Sequence, residues 1–278
     1  MAKIMRQYRP VQPPTLERAN VQNEYRYREY MPSKSLANYI ACYWTSEYNG
    51  EGIARMSRVI PDGCVDIIFN LGATSVKKGA FLTGLMRTYE DMLVTEPQAL
   101  IGIRFYVEGA ARFLRYPVAI INGHHPHLQD IWGKEADEVI EGLLEASDTA
   151  ERIAWLEQEL IKRIWMDDPA DQLLLTSMNY LYEYRGSLSM AALAEKVNYS
   201  ERTLRRTFQQ QLGMSPKELG RIIQFQGLLQ MLAKGTRTSF TDAALQCGYY
   251  DQSHLIKSFH TFYGVAPSKI VSPDRTNR

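Results

Sequence analysis

The sequence predicts an α+β protein. A β-rich first domain, barrel or sandwich-like and carrying flanking helices, precedes an all-α domain with two helix-turn-helix units joined by a long helix. Three observations predict it. Apolar residues alternate with period two in the stretch from about 55 to 115. From Trp132 onward the period is helical. Finally, LRRTFQQQLGMSP at 204–216 returns as LIKSFHTFYGVAP at 255–267, 51 positions later, with Leu, a basic residue, Phe, Gly and Pro at the same offsets.

At 278 residues the chain has room for one large or two ordinary domains. Apolar content of 45% and charged content of 23% are those of a globular protein. No run is apolar enough to span a membrane, and the start lacks an apolar signal core. Cys42, Cys64 and Cys247 are scattered without metal-binding spacing, which predicts reduced thiols and a cytoplasmic location. The net charge of +1 hides a split. Residues 1–170 hold 19 Lys+Arg against 23 Asp+Glu, and residues 171–278 hold 13 against 8. A basic last third suits a polyanion partner.

In chain order, residues 1–30 are polar and proline-bearing and read as an arm. SLANYIACYW reads as a short helix entering a strand. CVDIIFNLG and ALIGIRFYVEG read as strands, with PDG at 61–63 as a turn. Trp132–Leu144 and Glu151–Trp165 read as amphipathic helices, suited to packing on the first domain or to pairing with a second copy. MDDPAD at 166–171 marks a boundary, giving domains at 31–168 and 169–271 and a tail at 272–278.

Within the second domain, one helix burying Leu193, Ala194 and Val197 turns at Asn198 into another capped by Ser200, whose apolar stripe is Leu204, Phe208 and Leu212. Its open face offers Arg202, Arg205, Arg206 and Gln209, side chains shaped to fork onto guanine or to grip phosphate. The second copy buries Ala244, turns at Gly248, caps at Asp251 and offers Gln252, Ser253, His254, Ile256 and Lys257. Pro216 opens the connecting helix and Gly235 closes it. About 18 residues of helix span roughly 27 Å, which suits two readers about one DNA turn apart.

Residues 187–271 resemble the DNA-binding domain of the AraC/XylS family of bacterial transcription regulators. GMSPKELGRIIQFQ is similar to that family's linker-helix opening, and GYYDQSHLIKSF with GVAPSKI to its second-motif signature. The resemblance implies double-stranded DNA as partner, read by Arg202, Arg205 and Arg206 in one groove and by Gln252, Ser253, His254 and Lys257 in the next. It also implies a small-molecule effector bound by the first domain, contact with RNA polymerase, and pairing into a homodimer. Two residues depart from the family pattern. Gln224 replaces an arginine, removing a phosphate contact or salt bridge, and Ile256 replaces a polar residue, so the second helix either reads a thymine methyl or reads little sequence at all.

For the effector, the strand residues Trp44, Arg58, Asp66, Arg104 and Tyr106 are candidates to line a cavity for a small anion or sugar-like molecule. The alternative is a metal-responsive regulator using His124, His125 and His127, three of the five histidines. A reactive Cys64, as in alkyl-acceptor proteins, is a further reading, as is a protein-interaction scaffold. No nucleophile elbow, phosphate loop or acid–base pair is present, so neither an enzyme nor a cofactor is predicted.

Overall fold

The computed structural model describes residues 8–16, 24–50, 54–76, 79–164, 170–233 and 240–270. Parts of the predicted arm, Trp165, the break at 166–169, Gly235 and the tail at 272–278 lie outside the described residues.

A short helix, α1 (Pro13–Leu16), precedes the strands β1 (Tyr25–Tyr30), β2 (Ile40–Tyr48), β3 (Arg55–Val59), β4 (Cys64–Asn70), β5 (Ala80–Thr83), β6 (Glu90–Val94) and β7 (Gln98–Tyr106). Five of them form one antiparallel sheet in the order β1-β2-β7-β4-β5. β3 and β6 form a separate antiparallel ribbon. The alternation in β4 and β7 places Ile67 and Phe69 with Ile101, Ile103 and Phe105 on one buried face. That face is covered by α2 (Val107–Leu114), which continues directly from β7 and sets Phe113 5.0 Å from Phe105, ring to ring. The opposite face, carrying Asp66 and Arg104, is buried as well. Simple alternation, with one face wet, does not describe these central strands.

After α2 come α3 (Leu128–Trp132), α4 (Glu135–Glu145) and α5 (Thr149–Lys162). Val139, Ile140 and Leu143 of α4 and Leu156 and Leu160 of α5 are buried within this one chain. Much of both stripes is thus used in packing within the chain, while Leu144 stays exposed.

The helical part comprises α6 (Ala170–Glu183), α7 (Met190–Val197), α8 (Glu201–Leu212), α9 (Pro216–Ala233), α10 (Phe240–Gln246) and α11 (Gln252–Phe262). α9 starts with a capping box. The Ser215 hydroxyl accepts from the Glu218 amide at 3.3 Å, and the Glu218 carboxylate accepts from the Ser215 amide at 2.9 Å. Pro216 sits at the first helical position, where no amide is needed. Ten of its 18 residues are buried, including Gln224 and Gln226. A helix enclosed on so many sides is a core element rather than an exposed rod.

The described part of the predicted arm is built into the fold, which corrects that expectation. β1 is an edge strand of the sheet. The Tyr8 ring stacks on Tyr182 of α6 at 4.6 Å, and its hydroxyl donates to the Asp62 carbonyl at 2.6 Å. The Gln12 amide donates to Ile60 O at 2.9 Å and to Asp62 Oδ2 at 2.8 Å. Gln226, fully buried in α9, accepts from the Val11 amide at 2.7 Å and donates to Val11 O and Pro61 O at 3.2 and 2.9 Å. A polar segment is held here by polar groups that answer it one for one. Replacing Gln226 with Leu strands one amide and two carbonyls, so we expect a loss of about 3 kcal/mol, read as a lower urea midpoint.

Candidate nucleic-acid interface

The first helix pair is set by local signals. Ser189 caps α7, and Asn198 adopts the left-handed conformation at φ 58°, ending the helix. Ser200 then caps α8 by accepting from the Thr203 amide at 3.1 Å. Leu204, Phe208 and Leu212 are buried and fix the rotation of α8 about its axis. Arg202, Arg205, Arg206 and Gln209 are therefore turned outward, and all four are exposed. Arg205 pairs with Glu201 at 3.0 Å, while Arg202 and Arg206 make no ion pair among the described residues. Two or three cationic forks on a single helix face are suited to an anionic groove.

The second pair repeats the scheme with one more residue in its turn. Gly248 takes φ 75°, and Asp251 caps α11 by accepting from the His254 amide at 2.7 Å. Ala244 is fully buried where helices meet, and Cys247 packs beside it as a small apolar residue. Gln252, Ser253 and Lys257 are exposed, and His254 is half-buried with its ring edge-on to Tyr249 at 5.3 Å. Tyr250, just before the cap, is 90% exposed. It is the inserted turn residue, and sequence reasoning passed over it.

Both departures from the family pattern have a physical account. Gln224 is buried, and its amide donates to Cys247 O at 3.0 Å and Gly248 O at 2.8 Å, closing the end of α10. It ties the connecting helix to the second unit. Ile256 is half-buried, with part of its side chain packed against the core.

Four of the five predicted effector residues converge on one sheet face. Arg104, 4% exposed, forks onto Asp66 at 3.2 and 3.0 Å, pairs with Asp62 at 3.2 Å, and reaches Glu29 at 3.8 Å. The Trp44 indole donates to Asp66 Oδ2 at 3.0 Å. Gly102 makes this possible, since a Cβ there would lie 2.1 Å from the indole ring. Tyr106 donates to Tyr8 O at 3.1 Å. Burial pushes the Asp66 carboxyl upward, opposed by the Arg104 guanidinium. The charges are answered within the cluster, so a ligand reaching Arg104 has to displace a protein group. Arg58 lies elsewhere, on the ribbon, forked onto Asp91 at 2.7 Å.

The metal-responsive alternative is not supported. His125 lies edge-on to Phe81, while the His127 amide donates to Asp130 at 3.1 Å at the start of α3. No group of three or more metal-ligating side chains occurs among the described residues. The three cysteines are buried, and burial pushes their thiols upward, opposite to what a nucleophile needs. A thiol reagent will therefore titrate no fast-reacting cysteine in the native chain and three after denaturation. Among the described residues, no helix is long and apolar enough to cross a membrane.

Residues 193–272 match a family model described as a helix-turn-helix domain, and residues 28–127 match one described as a domain of unknown function. An uncharacterized HTH-type transcriptional regulator of Haemophilus influenzae is 29% identical over 115 residues, covering 41% of this chain and 38% of that protein. The chain thus matches about two fifths of that relative's length. Among solved structures, ToxT from Vibrio cholerae aligns over 90% of this chain and 99% of its own, at 14% identity and a TM-score of 0.42. ToxT bound to an unsaturated fatty acid aligns over 91% of this chain and 96% of its own, at 14% identity and a TM-score of 0.39.

Proposed function

We propose, taking as premise that residues 193–272 are an AraC-type helix-turn-helix domain, that this chain is a sequence-specific DNA-binding regulator of transcription. The observation that carries it is the pair of capped helices, α8 and α11, with buried apolar stripes and polar faces turned outward. Arg202, Arg205, Arg206 and Gln209 read or grip one major groove, and Gln252, Ser253, His254 and Lys257 the next. α9, at 18 residues, is roughly 27 Å long, a length that suits two readers about one DNA turn apart. Residues 31–168 serve as the sensing domain and 169–271 as the DNA-binding domain. The buried charges around Arg104 are the place where a small anionic effector competes, and the chain carries out no catalysis of its own. Contact with RNA polymerase and pairing with a second copy belong to the same reading.

The test is retention of duplex from a randomised DNA pool by the purified full chain, with affinity then followed against salt. Log affinity should fall linearly with log salt, by about 0.9 per phosphate neutralised. Failure to retain any duplex at low salt would overturn the reading.

A further inference from the structure

The two reader helices meet the first domain at their C-terminal ends. At the end of α8, Asn122 donates to Leu212 O at 2.7 Å and Arg87 donates to Gly213 O at 2.6 Å. Arg87 also pairs with Glu218 in the first turn of α9, at 3.3 Å. At the end of α11, Arg58 donates to Tyr263 O at 2.8 Å, and its guanidinium lies 4.8 Å from the Tyr89 ring centroid. Gly264, at φ 82°, presses its backbone onto the same Tyr89 ring, where a Cβ would come within 2.4 Å.

These groups come from one small part of the chain. Arg58 is on β3, Arg87 and Tyr89 lie in the turn entering β6, and Asp91 on β6 holds Arg58 by a two-toothed pair. Asn122 joins the same turn by accepting from the Leu85 amide at 2.8 Å. Cationic donors at helix C-termini also meet the negative end of the helix dipole. The contacts lie at the far ends of the helices from the capped N-termini, and they leave the outward faces of α8 and α11 open.

We propose that the β3–β6 ribbon and the turn leading into it form a bracket that sets the spacing and angle between α8 and α11, with Arg58, Arg87 and Asn122 as positioning residues for DNA binding. The inference rests on the regulator reading, because spacing matters only if both helices engage one duplex. α9 fixes one side of each unit, and the bracket fixes the other. With both in place the readers arrive pre-spaced. With the bracket cut, the second reader has to be ordered during binding, and affinity for a two-site duplex falls.

The experiment uses the full chain with Gln210→Cys and His260→Cys, both exposed, as spin-label sites on α8 and α11. The native cysteines are buried and spared by the label. The combined Arg58→Ala and Arg87→Ala variant should broaden the distance distribution between labels. It should also bind the duplex enriched by the unaltered chain about tenfold more weakly, while its affinity for either half of that duplex alone is kept. Arg58→Lys with Arg87→Lys keeps a cation beside each carbonyl and should hold an intermediate width, which guards against misfolding as the cause. An unchanged width, or broadening with no loss of two-site affinity, overturns the bracket. A reference chain that binds no duplex fails the regulator reading instead, and the label distances still judge the bracket.

Discussion

Replacing Arg205 and Arg206 together with alanine will weaken duplex binding about a hundredfold at moderate salt, with no matching loss of stability. Each side chain that touches base or phosphate contributes about 1–3 kcal/mol, so two give that order. The slope of log affinity against log salt should shrink by about 2 if both meet phosphate. Stability should hold because both side chains are exposed, and the contact given up, Arg205 with Glu201, is a surface pair worth well under about 1 kcal/mol. Fluorescence anisotropy across a salt series, beside a thermal melt, separates the two quantities. Unchanged affinity would remove α8 from the groove.

The second large effect concerns the sheet. Arg104→Met will destabilise the chain by about 3–5 kcal/mol, because it leaves Asp66 and Asp62 buried with no opposing charge. Adding Asp66→Asn should recover part of the loss, since an amide at that position can still accept from Trp44. Chemical denaturation of the three proteins gives the comparison. A loss below about 1 kcal/mol for the single change would mean that water already screens the cluster.

What could be read in the sequence divides by how local its cause is. Ser200, Asn198, Gly248 and Asp251 do their work within three or four residues, so their roles were visible at once and stand as predicted. The alternation in β4 and β7 likewise located two central strands. β1 was missed because Tyr25–Tyr30 reads YRYREY, charged enough to pass for an arm, although its alternating tyrosines were the available signal. Arg58 was grouped with Trp44, Asp66, Arg104 and Tyr106 on residue type alone, yet the ribbon carries it away from the other four. Gln12 and Gln226 gave no signal, because a glutamine that answers a backbone group across the molecule leaves no periodicity behind. Gln224 was noticed as an exception, but its partners at Cys247 and Gly248 become apparent only once α9 and α10 are packed.

The pairing of Val11 with Gln226 joins groups 215 positions apart. On the ribosome, the leading segment emerges long before the helix that completes its bonds. That segment can meet Ile60 and Asp62 as soon as they emerge, but its bonds to Gln226 form only after α9 has been synthesised. A product truncated ahead of α9 would leave the Val11 amide and the Val11 and Pro61 carbonyls without the Gln226 side chain that answers them.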